Sequence, residues 1–308
     1  MSLVRPRAWR PGDRIAVVAP ASPFSREEFD RGCAELRRLG FDPVFDDDVF
    51  ARSWYVAGSA GLRAAAIQRA LADPSIAGLI AVRGGFGSMH VLPAMDAATW
   101  RAAGKALVGY SDLTSLFAWQ TCHVGMVAIH GPMLAGRLSE GEAKYDADSF
   151  LRVVGDPTPF GMVPGGGLLT LRAGEATGPL FGGTLTQLCA SLATPYAFDP
   201  PAGCLLFIED VGERPYRIDR LLTQLVYAGV IGRASGVVFG EMVECDEPGG
   251  PTVIETLASV TAGWDVPVIY GLAAGHTRRP VVTLPLGVSA RLVAGPSPSL
   301  EILDAAVR

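Results

Sequence analysis

Histidine is scarce, with four among 308 residues. That limits how elaborate a metal site could be. It also narrows the search for a general base to His90, His123, His130 and His276. The five cysteines, Cys33, Cys122, Cys189, Cys204 and Cys245, are scattered and odd in number, and no two form a CxxC pair. Neither a zinc ribbon nor a disulfide framework follows, and the reading is reduced thiols in a cytoplasmic protein. With no HExxH and no carboxylate cluster either, no metal is expected. A concentrated basic surface is missing as well: the net charge is −5, which argues against nucleic acid as a partner. No segment approaches the ~20 apolar residues needed to span a bilayer, so no membrane partner is expected. The apolar stretch at 15–19 is too short for a signal-peptide core and reads as a buried strand. A cytoplasmic location is the resulting expectation.

What is present is core-forming material. The chain is 49% apolar, and a single core stops growing at roughly 250–300 residues, so two domains are expected. Residues 14–20 (RIAVVAP) form an apolar, β-branched run. Ser25 and Glu28 then read as a capping box opening a helix to about 39, closed by Gly40. A strand near 42–45, a helix over 61–72 and a buried strand at 76–82 follow. Further apolar runs lie at 106–110 and 126–129. Strands alternating with helices predict a parallel, doubly wound sheet over residues 1–150. The Pro- and Gly-dense stretch 151–170 reads as a linker. Residues 171–308 read as a mixed β/α domain. Its strands fall at 205–208, 236–239 and 266–270, its helices at 215–227 and 252–261, and a hairpin at 281–292.

In open α/β sheets ligands gather at the carboxyl ends of strands. One such end is ALVGYSDLT at 106–114. A serine on a sharp strand-to-helix turn presents its Oγ above the sheet, beside amides at the positive end of a helix dipole. Ser111 holds that position, and the competing reading is an ordinary N-cap by Ser111 or Asp112. The second end is RGGFGS at 83–88. Its glycines allow close backbone approach to an oxyanion or phosphate. It fits neither GxGxxG nor a Walker loop, and a plain tight turn explains it equally well.

A serine nucleophile needs a base, and the base needs an orienting acid. His123 sits near the end of the serine helix, as a dipole partner. His90 follows the glycine turn and reads as structural. His130 follows a strand and could line a cleft. His276, in the loop GLAAGHT, is placed to point outward. Glu209 ends the buried strand LLFI, where an unpaired charge would cost several kcal/mol. Its alternative is a place in the acidic start of the next helix, with Asp210 and Glu213.

Six segments together resemble one family. They are RIAVVAPASP at 14–23, AVRGGFGS at 81–88, VGYSDLT at 108–114, AIHGPM at 128–133, FIEDVGERPYRIDR at 207–220 and GHTRRPVVTLPLG at 275–287. The chain resembles the L,D-carboxypeptidases of peptidase family S66, which includes murein tetrapeptide carboxypeptidases and microcin C immunity-type hydrolases. The resemblance implies a flavodoxin-like N-terminal domain carrying the nucleophile and a swivelling β/α C-terminal domain carrying glutamate and histidine. It implies Ser111 as nucleophile, His276 as general base and Glu209 as its orienter. It implies the amides of Gly85 and Asp112 as oxyanion hole, no organic cofactor, a small peptide substrate and a homodimer. Family members often read GGN where this chain has Gly182-Gly183-Thr184, and the Arg278-Arg279-Pro280 stretch is more basic than usual. An exopeptidase must also hold a free carboxylate. Arg217, Arg278 and Arg279 are the candidates, because guanidinium binds carboxylate bidentately. For Arg217 a surface ion pair with a neighbouring acid competes. The functional expectation is removal of a terminal D-amino acid from an L,D-peptide through an acyl-enzyme. The rivals are hydrolysis of a peptidyl-adenylate and non-enzymatic nucleotide binding.

Overall fold

The computed structural model describes residues 3–308. Its first sheet is built from β1 (Arg14–Val18), β2 (Asp42–Val44), β3 (Ile76–Ala81), β4 (Ala106–Gly109) and β5 (Ala128–His130). Between them run α1 (Arg26–Arg38), α2 (Ala60–Ala72), α3 (Ala97–Ala103) and α4 (Thr114–Trp119). All five strands are parallel, in the order β5-β4-β3-β1-β2. Every side chain of β3 and β4 is buried, as expected for strands covered on both faces. On α1, Phe29, Cys33 and Leu36 form the buried stripe, with Glu27 and Glu28 in the first turn and Arg37 and Arg38 in the last.

After α5 (Ala147–Gly155) come β6 (Gly161–Met162), β7 (Leu169–Arg172), β8 (Gly174–Thr184), α6 (Leu185–Ser191) and β9 (Cys204–Glu209). Then follow α7 (Pro215–Tyr227), β10 (Ala234–Gly240), α8 (Val253–Thr261) and β11 (Val268–Leu272). The chain ends with β12 (Leu284–Leu286), β13 (Ser289–Ala294) and β14 (Ser299–Ile302). The second sheet runs β6-β14-β13-β8-β9-β10-β11-β7, parallel from β8 to β11 and antiparallel outside them. The larger apolar cluster passes through both sheets, joining Ile80, Val108 and Ile129 to Phe207, Val238 and Ile269.

Three local expectations are corrected. The boundary at 150 falls inside α5, and the 151–170 stretch contributes β6 and the start of β7 to the second sheet. Pro and Gly density marks turns there, but it does not prevent pairing between them. Residues 281–292 form no hairpin. Strand β12 pairs antiparallel with β5 on the first sheet, and β13 pairs with β8 and β14 on the second. Gly287, at φ +95°, makes the step between sheets. Ser25 occupies the N-cap of α1, yet its side chain accepts no cap bond. The capping box is instead at Thr252 and Glu255, opening α8. The helix after Ser111 is not uniform: a 3-10 turn at Ser111–Leu113 leads into α4, and a wide π turn at Gln120–Val124 ends it.

Candidate active site

Strand β4 stops at Gly109, where an added Cβ would come within 3.0 Å of the Leu113 side chain and 3.3 Å of Ala81. The chain then turns so sharply that Ser111 adopts φ +64°, in the left-handed region. A non-glycine residue held there costs about 1–3 kcal/mol, so its neighbours must impose the conformation. Two of them are visible. Asp112 is buried and its Oδ2 accepts from the Ser88 N–H at 2.7 Å. Its carbonyl accepts from the Ser88 hydroxyl. Burial pushes the Asp112 carboxyl above its usual range, while the Ser88 bonds and Arg63 oppose the rise.

The glycine turn packs directly on the serine. A Cβ on Gly84 would lie 2.8 Å from Ser111 Cβ and 3.0 Å from its Oγ. Gly85, at φ +102°, abuts Ser22, whose hydroxyl accepts from Phe86 N at 3.1 Å and donates to the Tyr55 carbonyl at 3.0 Å. Among the described residues the Gly85 N–H has no protein acceptor. Ser111, Gly84 and Gly85 all line one cleft of about 500 Å³, with Tyr110, Met133, Gly136, Val211 and His276.

Glu209 ends β9 and is fully buried. Its Oε2 accepts from both the backbone N–H and Nδ1 of His276, each at 2.8 Å. Thr184 Oγ1 donates to its other oxygen. Two glycines make this packing possible: a Cβ on Gly275 would meet Glu209 Oε2 at 2.6 Å, and one on Gly240 would meet its Cβ at 2.7 Å. Burial alone would raise the Glu209 carboxyl. The His276 charge and hydrogen bond, with help from His130 and Thr184, outweigh it and hold the carboxyl below the usual range. Burial likewise works against the His276 imidazolium, but the Glu209 carboxylate prevails and raises its pKa. The Tyr110 ring stands edge-on to the imidazole, with centroids 5.1 Å apart. No hydrogen bond joins Ser111 to His276 among the described residues, although both face the same cleft.

The remaining histidines lie elsewhere. His130 does not line the cleft. It is fully buried beside Phe207 and Tyr110, and burial lowers it to about 4. His123 Nε2 pairs with the Ala197 carbonyl at 2.8 Å, and His90 is exposed against Phe86. Next to Glu209, Asp210 is pushed up to about 6 by burial and by the Glu209 charge. Its bonds from Thr186 and Val211 moderate the rise.

None of the three arginines expected to hold a carboxylate lines this cleft. Arg217 pairs with Glu213 on the exposed face of α7. Arg279 pairs with Glu241 and donates to the Gly271 carbonyl. Its guanidinium faces a separate depression with Gly166 and Tyr270. The Arg278 amide is drawn to Glu241 at 2.8 Å. Nearness to His276 in sequence does not carry over: Glu241 holds the backbone of Arg278 and the guanidinium of Arg279. Arg83 and Glu28 line the cleft instead. A signal for Arg83 was available, since it is the second residue beyond the carboxyl end of β3. Thr184 was also missed as a partner of Glu209, although β8 and β9 run parallel and put the two side by side.

Comparison with known proteins shows the family and the fold. The profile of the LD-carboxypeptidase N-terminal domain matches residues 15–131, and that of the LD-carboxypeptidase C-terminal domain matches residues 177–292. A Streptomyces coelicolor protein, whose name carries a provisional carboxypeptidase assignment, is 39% identical over 94% of this chain and 93% of its own. The murein tetrapeptide carboxypeptidase of Pseudomonas aeruginosa is 30% identical over 88% of this chain and 90% of its own. Among solved structures, the microcin C7 self-immunity protein MccF in complex with aspartyl sulfamoyl adenosine superposes with a TM-score of 0.91. That match covers 99% of both chains at 24% identity, a likeness of fold.

Proposed function

Since this chain belongs to the LD-carboxypeptidase family, we propose that it is a serine carboxypeptidase that removes a terminal D-amino acid from an L,D-peptide such as a murein tetrapeptide. The observation that carries the reading is the fully buried Glu209 carboxylate gripping His276 by two N–H groups in the cleft that also holds Ser111. In this proposal Nδ1 is fixed as the donor to Glu209, so Nε2 is the basic nitrogen. Ser111 Oγ attacks the scissile carbonyl and passes its proton to Nε2. The negative oxygen sits on the amides of Gly85 and Asp112, each donor worth about 2.7–4 kcal/mol. The imidazolium then protonates the departing amino acid. Water, activated by the same nitrogen, resolves the ester on Ser111. The proposal includes a cytoplasmic location and a homodimer. It needs neither a metal nor an organic cofactor.

A second reading, cleavage of a peptidyl-adenylate, is favoured by one feature. Trp54, Tyr55 and Phe86 are exposed beside the glycine turn, with the Tyr55 and Phe86 rings 5.4 Å apart, and could stack a nucleobase. The test is incubation with a tetrapeptide ending in D-alanine beside a peptidyl-adenylate, followed by mass spectrometry. Release of D-alanine, abolished in Ser111→Ala, supports the carboxypeptidase. Turnover of the adenylate alone selects the second reading.

The rate must also follow the charge on His276. A general base works only when neutral, and Glu209 raises the pH at which His276 gives up its proton. The acid limb of kcat/KM therefore has its midpoint above 6.5, the ordinary histidine value. A pH profile over 5–9 checks this. A midpoint below 6.5 would contradict the assignment of His276 as the base held by Glu209.

A further inference from the structure

The cleft beside Ser111 contains two opposed charges that have no ion-pair partner among the described residues. Arg83 follows the last residues of the β3 run and is exposed. Among the described residues its one hydrogen bond is from Nη1 to the Pro23 carbonyl, at 3.3 Å. Glu28, in the first turn of α1, is half-buried and has no hydrogen-bond or ion-pair partner among the described residues. The two do not pair with each other, although both line the same cleft with Ser111, Gly85 and His276. The contrast with nearby arginines is sharp. Arg137 is committed to Tyr110 Oη and to the carbonyls of Gly275 and Thr277. Arg217 and Arg279 are held by acids outside the cleft. Among the described residues, Arg83 is the one guanidinium that both faces the cleft and keeps most of its donors available.

We propose that Arg83 binds the free terminal carboxylate of the substrate and that Glu28 binds a positively charged group on the same substrate. The cleft then selects a zwitterionic peptide with an open carboxyl terminus. This rests on the carboxypeptidase reading and adds the residues that make it an exopeptidase. The chemistry is direct. A planar guanidinium offers paired N–H donors that match a carboxylate, and a carboxylate accepts up to three bonds from an ammonium. Both groups stand within one cleft of the reacting atoms, so their binding energy can orient the scissile bond. Two structural roles compete with this assignment. Arg83 could serve to tether the loop at Pro23, and Glu28 could serve the α1 dipole. Neither role would make the enzyme distinguish substrates by charge.

The experiment crosses enzyme variants with substrate charge. Wild type, Arg83→Gln and Arg83→Lys are assayed on an L,D-tetrapeptide and on its terminal carboxamide. Wild type, Glu28→Gln and Glu28→Asp are assayed on a peptide pair whose residue before the scissile bond is lysine or norleucine. Wild type is expected to prefer the acid to the amide in kcat/KM by about 10- to 100-fold. Arg83→Gln is expected to reduce that preference to within about threefold while leaving the amide rate near wild type. Arg83→Lys should restore part of the preference. Glu28→Gln should slow the lysine peptide by about 5- to 50-fold and spare the norleucine peptide, with partial rescue in Glu28→Asp. Equal losses on both members of a pair would assign the residue a structural role and overturn its part of the proposal. A wild type that cleaves no L,D-peptide would instead overturn the carboxypeptidase reading, and this assignment with it.

Discussion

Replacing Ser111 with alanine is expected to reduce kcat by about 10⁴- to 10⁶-fold, the scale seen when a triad nucleophile is removed. Melting temperature should stay within a few degrees of wild type, because the hydroxyl faces the cleft and contributes little to the core. A glycine at the same position makes a sharper test. Ser111 sits at φ +64°, where glycine has no steric penalty. Ser111→Gly should therefore be as inactive as Ser111→Ala but melt higher. Relief of about 1 kcal/mol of strain is worth roughly 1–2 °C in a chain of this size. A site that gains stability when its reactive group is deleted is one whose geometry is maintained for chemistry. A serine fluorophosphonate probe supplies the complementary readout, with labelling of wild type and none of either variant. Labelling that persists in Ser111→Ala would place the nucleophile elsewhere.

The second large effect is expected at Glu209. Glu209→Gln keeps size and shape but replaces one acceptor oxygen with an NH₂ donor. Glu209 now accepts from the His276 backbone and Nδ1 on one oxygen and from Thr184 on the other. The amide oxygen can still accept from His276 and the NH₂ can donate to the Thr184 hydroxyl, which also accepts, but an uncharged amide no longer stabilises the imidazolium. A comparable carboxylate-to-amide change in a serine protease costs about 10⁴ in kcat, and that is the loss expected here. The midpoint of the acid limb should also fall, because the Glu209 charge is what raises the His276 pKa against burial. Glu213→Gln is the control. Glu213 is half-buried just before α7 and pairs with the exposed Arg217, and the rate should remain within severalfold of wild type. A greater loss at Glu213 would mean that the orienting acid was misassigned by four residues.

The parts of the site that could be read in advance were those set by local chemistry. The strands IAGLIA and CLLFIE are apolar enough to be buried whatever surrounds them, and each ends beside a residue of the cleft or its support. Ser111, Glu209 and His276 stood out as candidates because each lies at a strand end or in a glycine-bounded loop, and the family resemblance supplied the roles proposed for them. The misreadings came where the partner was distant in sequence. LPLGVSARLV has the alternation of a hairpin, yet its halves find different sheets, and the residues of β5 and β8 that they pair with lie over 100 positions away. Arg278 and Arg279 adjoin His276 in sequence, but Glu241 at the neighbouring strand end accepts from the Arg278 backbone and pairs with the Arg279 guanidinium. Glu28 looked like half of a capping box, since the spacing was right. Only the placement of α1 above the carboxyl end of the first sheet turns it toward the cleft.

The crossing of β12 onto the first sheet has a consequence for how the protein is made. Strand β5 is synthesised early, and the strand that covers its open edge arrives only with residues Leu284–Leu286. At about 5–20 residues per second the interval on the ribosome is roughly 8–30 s. Throughout it the nascent first half presents an apolar, unpaired strand, of the kind that joins other chains edge to edge. The last tenth of the chain thus acts as a clasp on the first half, and a ribosome stalled before it would release a sheet with an open side.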